Sequence, residues 1–343
     1  MRAVRVTAHG GLDAVECVEI DAPTPKPGEA LIRVRASGMN HLDLWVRRGV
    51  EGHRFPLPLT LGSDGAGIVA EVGDGVSDVE VGDEVIVAPA TSCGRCEACL
   101  SGNDPLCRHY EILGESCDGT SADFISVPTS SVFKKPSSMT WDEAACFTLS
   151  ALTSWTMLND KARLRPGETV LVLGGTSGVG SMAIQLAKWC GARVIATAGS
   201  EEKLALCAEL GADECVHHHE ESIPERVRAI TKRRGVDIVF EHVGAATWES
   251  SVRSLARGGR LVTCGATTGA EVAIDLRALF FKNIALLGST MGSRGAIPLL
   301  LRAYEAGAIR PVVGATLPIQ DPQEAHRRLE AGEVQGKVVL RHD

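Results

Sequence analysis

At 343 residues the chain exceeds what one hydrophobic core usually serves, so two domains are expected. With 44% apolar and 23% charged residues it has globular composition, and a net charge of -8 argues against nucleic acid or an anionic membrane as partner. No apolar run approaches the roughly 20 residues needed to cross a bilayer, and MRAVRVTAHG lacks the apolar core of a signal peptide. A cytoplasmic protein with a small-molecule ligand is the expectation.

From Met1 to about Phe133 the runs AVRV, ALIRVRA, GAGIVAEVG, DEVIVAP and DFISVP alternate with Gly and Pro, which predicts a mainly β, barrel-like domain. Asn40 to Val46 reads as a short helix, and Pro58 to Gly65 as a loop leading into a strand. Cys93, Cys96, Cys99 and Cys107 then make C-x-x-C-x-x-C with a fourth cysteine beyond, in a Gly-rich polar loop. Four thiolates so spaced can close a tetrahedron around zinc, and with sulfur in every position that zinc would be structural. The remaining cysteines, in a chain without an export signal, fit reduced thiols better than a disulfide framework. Cys117 falls outside the spacing and reads as a bystander.

Beyond a link at Lys134 to Ser138, one apolar helix is predicted around Trp141 to Leu158. Glu168 to Ala198 then reads as strand, glycine-rich turn, helix and strand, the unit of dinucleotide-binding folds. Gly174, Gly175, Gly178 and Gly180 crowd the turn, and free N–H groups at the helix start, through Val179, suit a pyrophosphate. Against G-x-G-x-x-G the middle glycine is replaced by Ser177.

The alternation continues with helices at Glu201 to Leu210, Ile223 to Arg233 and Trp248 to Leu255. Strands are predicted near Glu214 to His217, Asp237 to Phe240, Arg260 to Cys264 and Asn283 to Leu287, as in a doubly wound parallel sheet. An amphipathic helix at Pro322 to Glu330 and a closing GKVVLR strand complete the chain. The end of the second strand, Ala198-Gly199-Ser200, carries no acid for a ribose 2′-OH. Ser200 and Lys203 can bind a 2′-phosphate there, which favours NADPH with NADH as the alternative. His217, His218 and His219 read as surface loop, because neighbours on a strand point to opposite faces.

These features resemble the medium-chain dehydrogenase/reductase superfamily, to which zinc alcohol dehydrogenases and quinone oxidoreductases belong. The resemblance covers the whole chain and rests on GSDGAGIVAEVG, GDEVIV, the four-cysteine lobe, and the glycine turn with AIQLAKWCGARVIAT. LGAD at Leu210 to Asp213, GVDIVFEHVG and the terminal GKVVL add to it. It implies a GroES-like catalytic domain over 1–152 and 291–343, with its zinc lobe at about 91–110. A Rossmann domain over 153–290 would complete an α/β architecture with the cofactor in the cleft. His218, Val243, Gly265, Ala266, Ser289 and Met291 match places where the superfamily meets its cofactor.

The resemblance also exposes a departure. Where zinc alcohol dehydrogenases hold a catalytic zinc with Cys, His and a further Cys or Asp, this chain has Asn40, Ser63 and about Leu149. Asp64 takes the place of the acid that follows the ligand His. The quinone-oxidoreductase branch implies hydride transfer from NADPH to a quinone or an α,β-unsaturated carbonyl. Asn40 and Ser63 would then be donors to the developing oxyanion, and Asp43 would orient His41 or the cofactor. Two alternatives stand beside it: an alcohol or aldehyde dehydrogenase with an improvised metal site from His41, Asp43, His53, Asp64 or Cys146, and a nucleotide-binding protein without turnover. Superfamily members are usually dimers or tetramers, so a homodimer or homotetramer is implied.

Overall fold

The computed structural model describes residues 1–343, which divide into two compact units. One comprises Met1–Leu149, Ser293–Glu305 and Pro311–Asp343; the other comprises Ser150–Gly292 and Ala306–Arg310. No helix is long and apolar enough to cross a membrane.

The second unit is built on a six-stranded sheet in which every neighbouring pair is parallel. From one edge the strands are Glu214–His217, Arg193–Ala198, Thr169–Val172, Val236–Glu241, Leu255–Thr263 and Ala285–Gly288. Numbered along the chain this order is 3-2-1-4-5-6, the doubly wound order whose reversal point lies beside the first strand. Val170, Leu171 and Val172 have no exposure because helices cover both faces. Each such side chain contributes about 1.5–3 kcal/mol of burial.

The first unit is mostly β. Its largest sheet pairs Glu29–Gly38 with Asp64–Val72, Phe124–Pro128 and the C-terminal strand Lys337–Arg341, all antiparallel. Residues from the two ends of the chain thus share one sheet. Val339 faces Gly38 in that register, which brings the head of the last strand beside Asn40.

The helix predicted as continuous from Trp141 to Leu158 is broken. Trp141–Ala144 and Thr148–Trp155 are separate helices, followed by a π-helical stretch at Thr156–Lys161. The break has a polar cause: the Thr148 hydroxyl and the Leu149 N–H both donate to the Asp64 carboxylate at 2.7 Å. A buried anion thereby starts a new helix inside an apolar run, where its N–H groups are free. Hydropathy carries no sign of this partner.

Candidate functional site

Asn40 lies two residues beyond the strand Glu29–Gly38 and caps the helix His41–Arg48. Its N–H donates to Asp43 at 2.6 Å, and the other Asp43 oxygen accepts from the Gly62 N–H at 2.9 Å. Burial pushes the Asp43 carboxyl up to about 6, while these two N–H groups and Lys337 pull it down. Asp43 thus joins the helix start to the loop before Asp64.

Asp64 has no exposure, and the Lys337 side chain only 5%. The Lys337 ammonium donates to Asp64 Oδ2 at 2.8 Å and also to Asn40 Oδ1. Asn40 Nδ2 donates to the same Asp64 oxygen at 3.1 Å and to the Gly38 carbonyl at 3.3 Å. With Thr148 and Leu149 on Oδ1, both Asp64 oxygens are satisfied. The approach depends on Gly38, where a Cβ would fall 1.8 Å from the Ala145 carbonyl oxygen. Ser63, also without exposure, donates its hydroxyl to the Leu113 carbonyl at 2.7 Å.

This geometry redistributes the roles anticipated for three residues. The Asn40 amide hydrogens point to Gly38 and Asp64, the Ser63 hydroxyl is spent on Leu113, and Asp43 serves as a cap. Each holds the frame through bonds already made. A catalytic zinc does not fit this donor set: thiolate and imidazole are missing, and the one free-standing acid is filled by an ammonium. His41, Asp43, His53, Asp64 and Cys146 do not assemble into an alternative. His53 pairs with Glu115 at 2.8 Å, and burial pushes the Cys146 thiol well above its usual range.

Lys337, inside the closing GKVVLR strand signature, carries no role that motifs alone assign. One signal was available: a lysine heading an otherwise apolar strand must find an anion when it is buried.

In the cysteine lobe, the sulfurs of Cys93, Cys96, Cys99 and Cys107 all lie within 4.8 Å of one another. Cys93 is 3.5 Å from Cys107 and 3.9 Å from Cys99, and Cys96 is 3.5 Å from Cys99. A tetrahedron with Zn–S bonds of about 2.3 Å has edges of about 3.8 Å, so the set fits zinc. The Arg95 and Cys96 N–H groups lower the Cys93 thiol to about 6, favouring the thiolate a metal requires.

In the second unit, Ser177 caps the helix Gly178–Trp189, its oxygen accepting from the Gly180 N–H at 2.9 Å. Its φ of -69° needs no glycine, which is why serine is tolerated at the middle position. Gly180 is required, because a Cβ there would sit 2.2 Å from the Gly174 carbonyl oxygen. Gly178 and Val179 continue the helix start, whose open N–H groups suit an anion.

Beyond the strand Val236–Glu241, the buried Glu241 carboxylate accepts from Val243 N–H, Gly244 N–H and the Thr247 hydroxyl at 3.1, 3.0 and 2.6 Å. It shapes the loop carrying Val243, against which Gly265 and Ala266 pack closely. His242 Nε2 lies 2.8 Å from the Leu173 carbonyl and 3.3 Å from Ser177 Oγ, beside the glycine turn. The buried hydroxyls of Ser150, Thr153 and Ser289 have no partner, and Met291 is left-handed at φ 52°. Unpaired buried hydroxyls are costly and are where a polar ligand is expected. These features fit a dinucleotide.

At the end of the second strand, Ser200 caps the helix Glu201–Glu209 by accepting from the Lys203 N–H. His218 and His219 lie in a turn past the strand Glu214–His217 and escape strand alternation, their ring centroids 4.4 Å apart. The surface loop expected for this run is therefore found for His218 and His219, while His217 ends the strand.

Comparison with known proteins agrees with this layout. The alcohol dehydrogenase GroES-like domain matches residues 26–137, and the zinc-binding dehydrogenase family matches 178–306. An alcohol dehydrogenase of Geobacillus stearothermophilus is 33% identical, covering 96% of each chain. The quinone oxidoreductase of Homo sapiens is 28% identical over 99% of this chain and 97% of its own. The crystal structure of an NAD-dependent alcohol dehydrogenase superposes with a TM-score of 0.96 at 45% identity, covering 100% of both chains. Full-length similarity of this kind, on a doubly wound sheet with a mostly β partner unit, places the chain in the medium-chain dehydrogenase/reductase superfamily as an NAD(P)-dependent oxidoreductase.

Proposed function

We propose that this oxidoreductase reduces a quinone or an α,β-unsaturated carbonyl compound with NADPH, without a catalytic zinc. The observation that carries the reading is the buried Asn40–Asp64–Lys337 cluster: by the resemblance, Asn40 stands at the first catalytic-zinc position of the alcohol-dehydrogenase branch, and here its amide is bonded to Asp64 and Lys337. Without a Lewis acid an isolated carbonyl is poorly polarised. A conjugated acceptor spreads the developing charge over its own π-system and needs less help. When bound, NADPH supplies the hydride. The chain's part is to hold the pyrophosphate on the N–H groups from Gly178 onward, to fix the nicotinamide-side loop through Glu241, and to keep the catalytic frame rigid through Lys337. Solvent provides the proton that completes the product.

NADPH is favoured over NADH by the acid-free tip Ala198-Gly199-Ser200 and by Lys203 beside it. The zinc belongs in the four-cysteine lobe, as a structural ion. The 45% identical structure is named an NAD-dependent alcohol dehydrogenase, which supports the second reading, alcohol oxidation. That reading requires a metal beyond the lobe.

Elemental analysis together with NADPH oxidation in the presence of 1,10-phenanthroline separates the two. One zinc per chain with chelator-resistant turnover of quinones or enones is expected. A second zinc and rapid loss of alcohol oxidation on chelation would overturn the proposal, and dinucleotide binding without turnover across the panel would leave a binding protein.

A second copy of the chain is the proposed partner. Ala285–Gly288 is an edge strand, and near it Leu276, Phe280 and Phe281 are 65%, 59% and 65% exposed. An unpaired edge with apolar neighbours is a site for self-pairing. Light scattering should give a multiple of 36.2 kDa, and a monomer at micromolar concentration would refute it.

A further inference from the structure

The glycine turn and the histidine pair form one bonded ledge. Gly174 N–H donates to the Thr197 hydroxyl at 3.1 Å and Gly175 N–H to the Thr197 carbonyl at 2.8 Å. One residue further, the Ala198 carbonyl accepts from the His218 N–H at 3.0 Å. The pyrophosphate cradle is thus tied, through the end of one strand, to the turn that carries His218 and His219.

Both imidazoles aim at the same point. A Cβ built on Gly199 would lie 2.8 Å from His219 Nε2 and 2.9 Å from His218 Nε2. Two ring nitrogens therefore converge above the residue that follows the second strand. This is where the ribose of a dinucleotide is read in the doubly wound fold.

The charges around the pair are unevenly placed. Lys203, on the first turn of Glu201–Glu209, acts on His218 as a neighbouring positive charge. Acids gather around His217, whose ring centroid is 6.1 Å from that of His219: one oxygen each of Glu201 and Glu220 lies with a His217 ring nitrogen inside a 4.8 Å cluster. Glu221 accepts from the His217 N–H at 3.0 Å and pairs with Arg226 at 2.8 Å. Glu202 is exposed on the same helical turn as Lys203. The charges that act on His218 are those of His219, His217 and Lys203.

We infer that His218 and His219, with Lys203, form a proton-linked seat for the 2′-phosphate, so that preference for NADPH over NADH strengthens as pH falls. The inference rests on the NADPH reading above and names the residues that would enforce it. Burial first, then His219, His217 and Lys203, holds the His218 pKa below its ordinary value. A phosphate dianion reverses that balance. Its charge favours imidazolium, so each imidazole that protonates takes one proton from solvent and donates an N–H to a phosphate oxygen. The linkage has a definite sign: affinity for NADPH rises by up to about tenfold per pH unit for each proton taken up.

The test is the ratio of NADH to NADPH dissociation constants from pH 8.5 to pH 6.5, by quenching of protein fluorescence. This window lies above the second phosphate pKa of about 6, so the ligand contributes little to the slope. The ratio should rise at least several-fold on acidification in the native chain and stay flat in the His218→Gln/His219→Gln variant, with its fold checked by circular dichroism. A flat ratio in the native chain, or an undiminished slope in the variant, would overturn the proton-linked seat while leaving an NADPH preference standing. Failure to bind NADPH at any pH, with NADH bound, would sink both the seat and the NADPH reading. Binding of neither would remove the dinucleotide assignment itself.

Discussion

Two carboxylates in this chain, Asp64 and Glu241, have no exposure at all, and they are held by opposite means. Asp64 is met by a full positive charge from Lys337, with partners drawn from residues 40, 148, 149 and 337. Glu241 is met by dipoles from its own neighbourhood, at residues 243, 244 and 247, with no cation among those bonds. The first arrangement fastens distant segments together. The second shapes a single loop. Burial consequently raises the Glu241 pKa, the expected result for a carboxylate without a counter-charge.

The sharpest way to break the contrast is to remove one half of the ion pair. Asp64→Ala or Lys337→Met should each cost about 3–5 kcal/mol, because the survivor is an uncompensated buried charge. The double variant Asp64→Asn/Lys337→Met removes both charges and should recover most of that loss. Denaturant unfolding of the three variants measures it; additive losses in the double variant would mean that the charges do not act as a pair.

This cluster also marks where legibility in the sequence ended. The doubly wound sheet could be read because its strands are apolar runs separated by glycine turns. The cysteine spacing was readable because all four residues are local. Asn40, Asp64, Thr148 and Lys337 are far apart along the chain, and the pleat and register that bring Val339 opposite Gly38 have no local signature. The broken helix at Ala145–Phe147 was hidden for the same reason, its cause being a carboxylate 84 residues before Thr148, which donates to it at 2.7 Å. The histidine run was readable as surface loop, since the strand ends at His217 and His218 and His219 lie in an exposed turn; that their rings pack against each other has no local signature.

A milder test targets the other carboxylate. Glu241→Gln keeps the shape but loses charge-assisted bonds, and should cost about 2 kcal/mol at pH 7, less than either single change at the ion pair. Its pH dependence carries a sign. A carboxyl whose folded pKa is raised stabilises the native state most at low pH, and that contribution is lost as pH rises through the folded value. The cost of Glu241→Gln should therefore shrink between pH 5 and pH 8. A cost that grows over this range would mean that the loop dipoles outweigh burial and that Glu241 resembles Asp64 more than the contrast allows.

A third buried group avoids both solutions by staying neutral. His326 is 1% exposed, and burial, with Arg47 and Arg48 nearby, depresses its pKa to about 3. Unfolded, it takes up a proton near pH 6.5, so its contribution is complete above that value and is lost as pH falls below it. Between pH 7.5 and 5.5 the loss amounts to about 1.4 kcal/mol, one tenfold step in the folding equilibrium. Asp43 opposes it, since a carboxyl raised to about 6 adds stability over the same acidification. The native chain should therefore show a shallow profile, while the difference between it and His326→Gln isolates the imidazole. That difference should narrow by about 1.4 kcal/mol from pH 7.5 to 5.5; a constant difference would place a proton on His326 in the folded protein, and with it a buried cation whose counter-charge would have to be the Glu330 that already pairs with Arg47 at 2.8 Å.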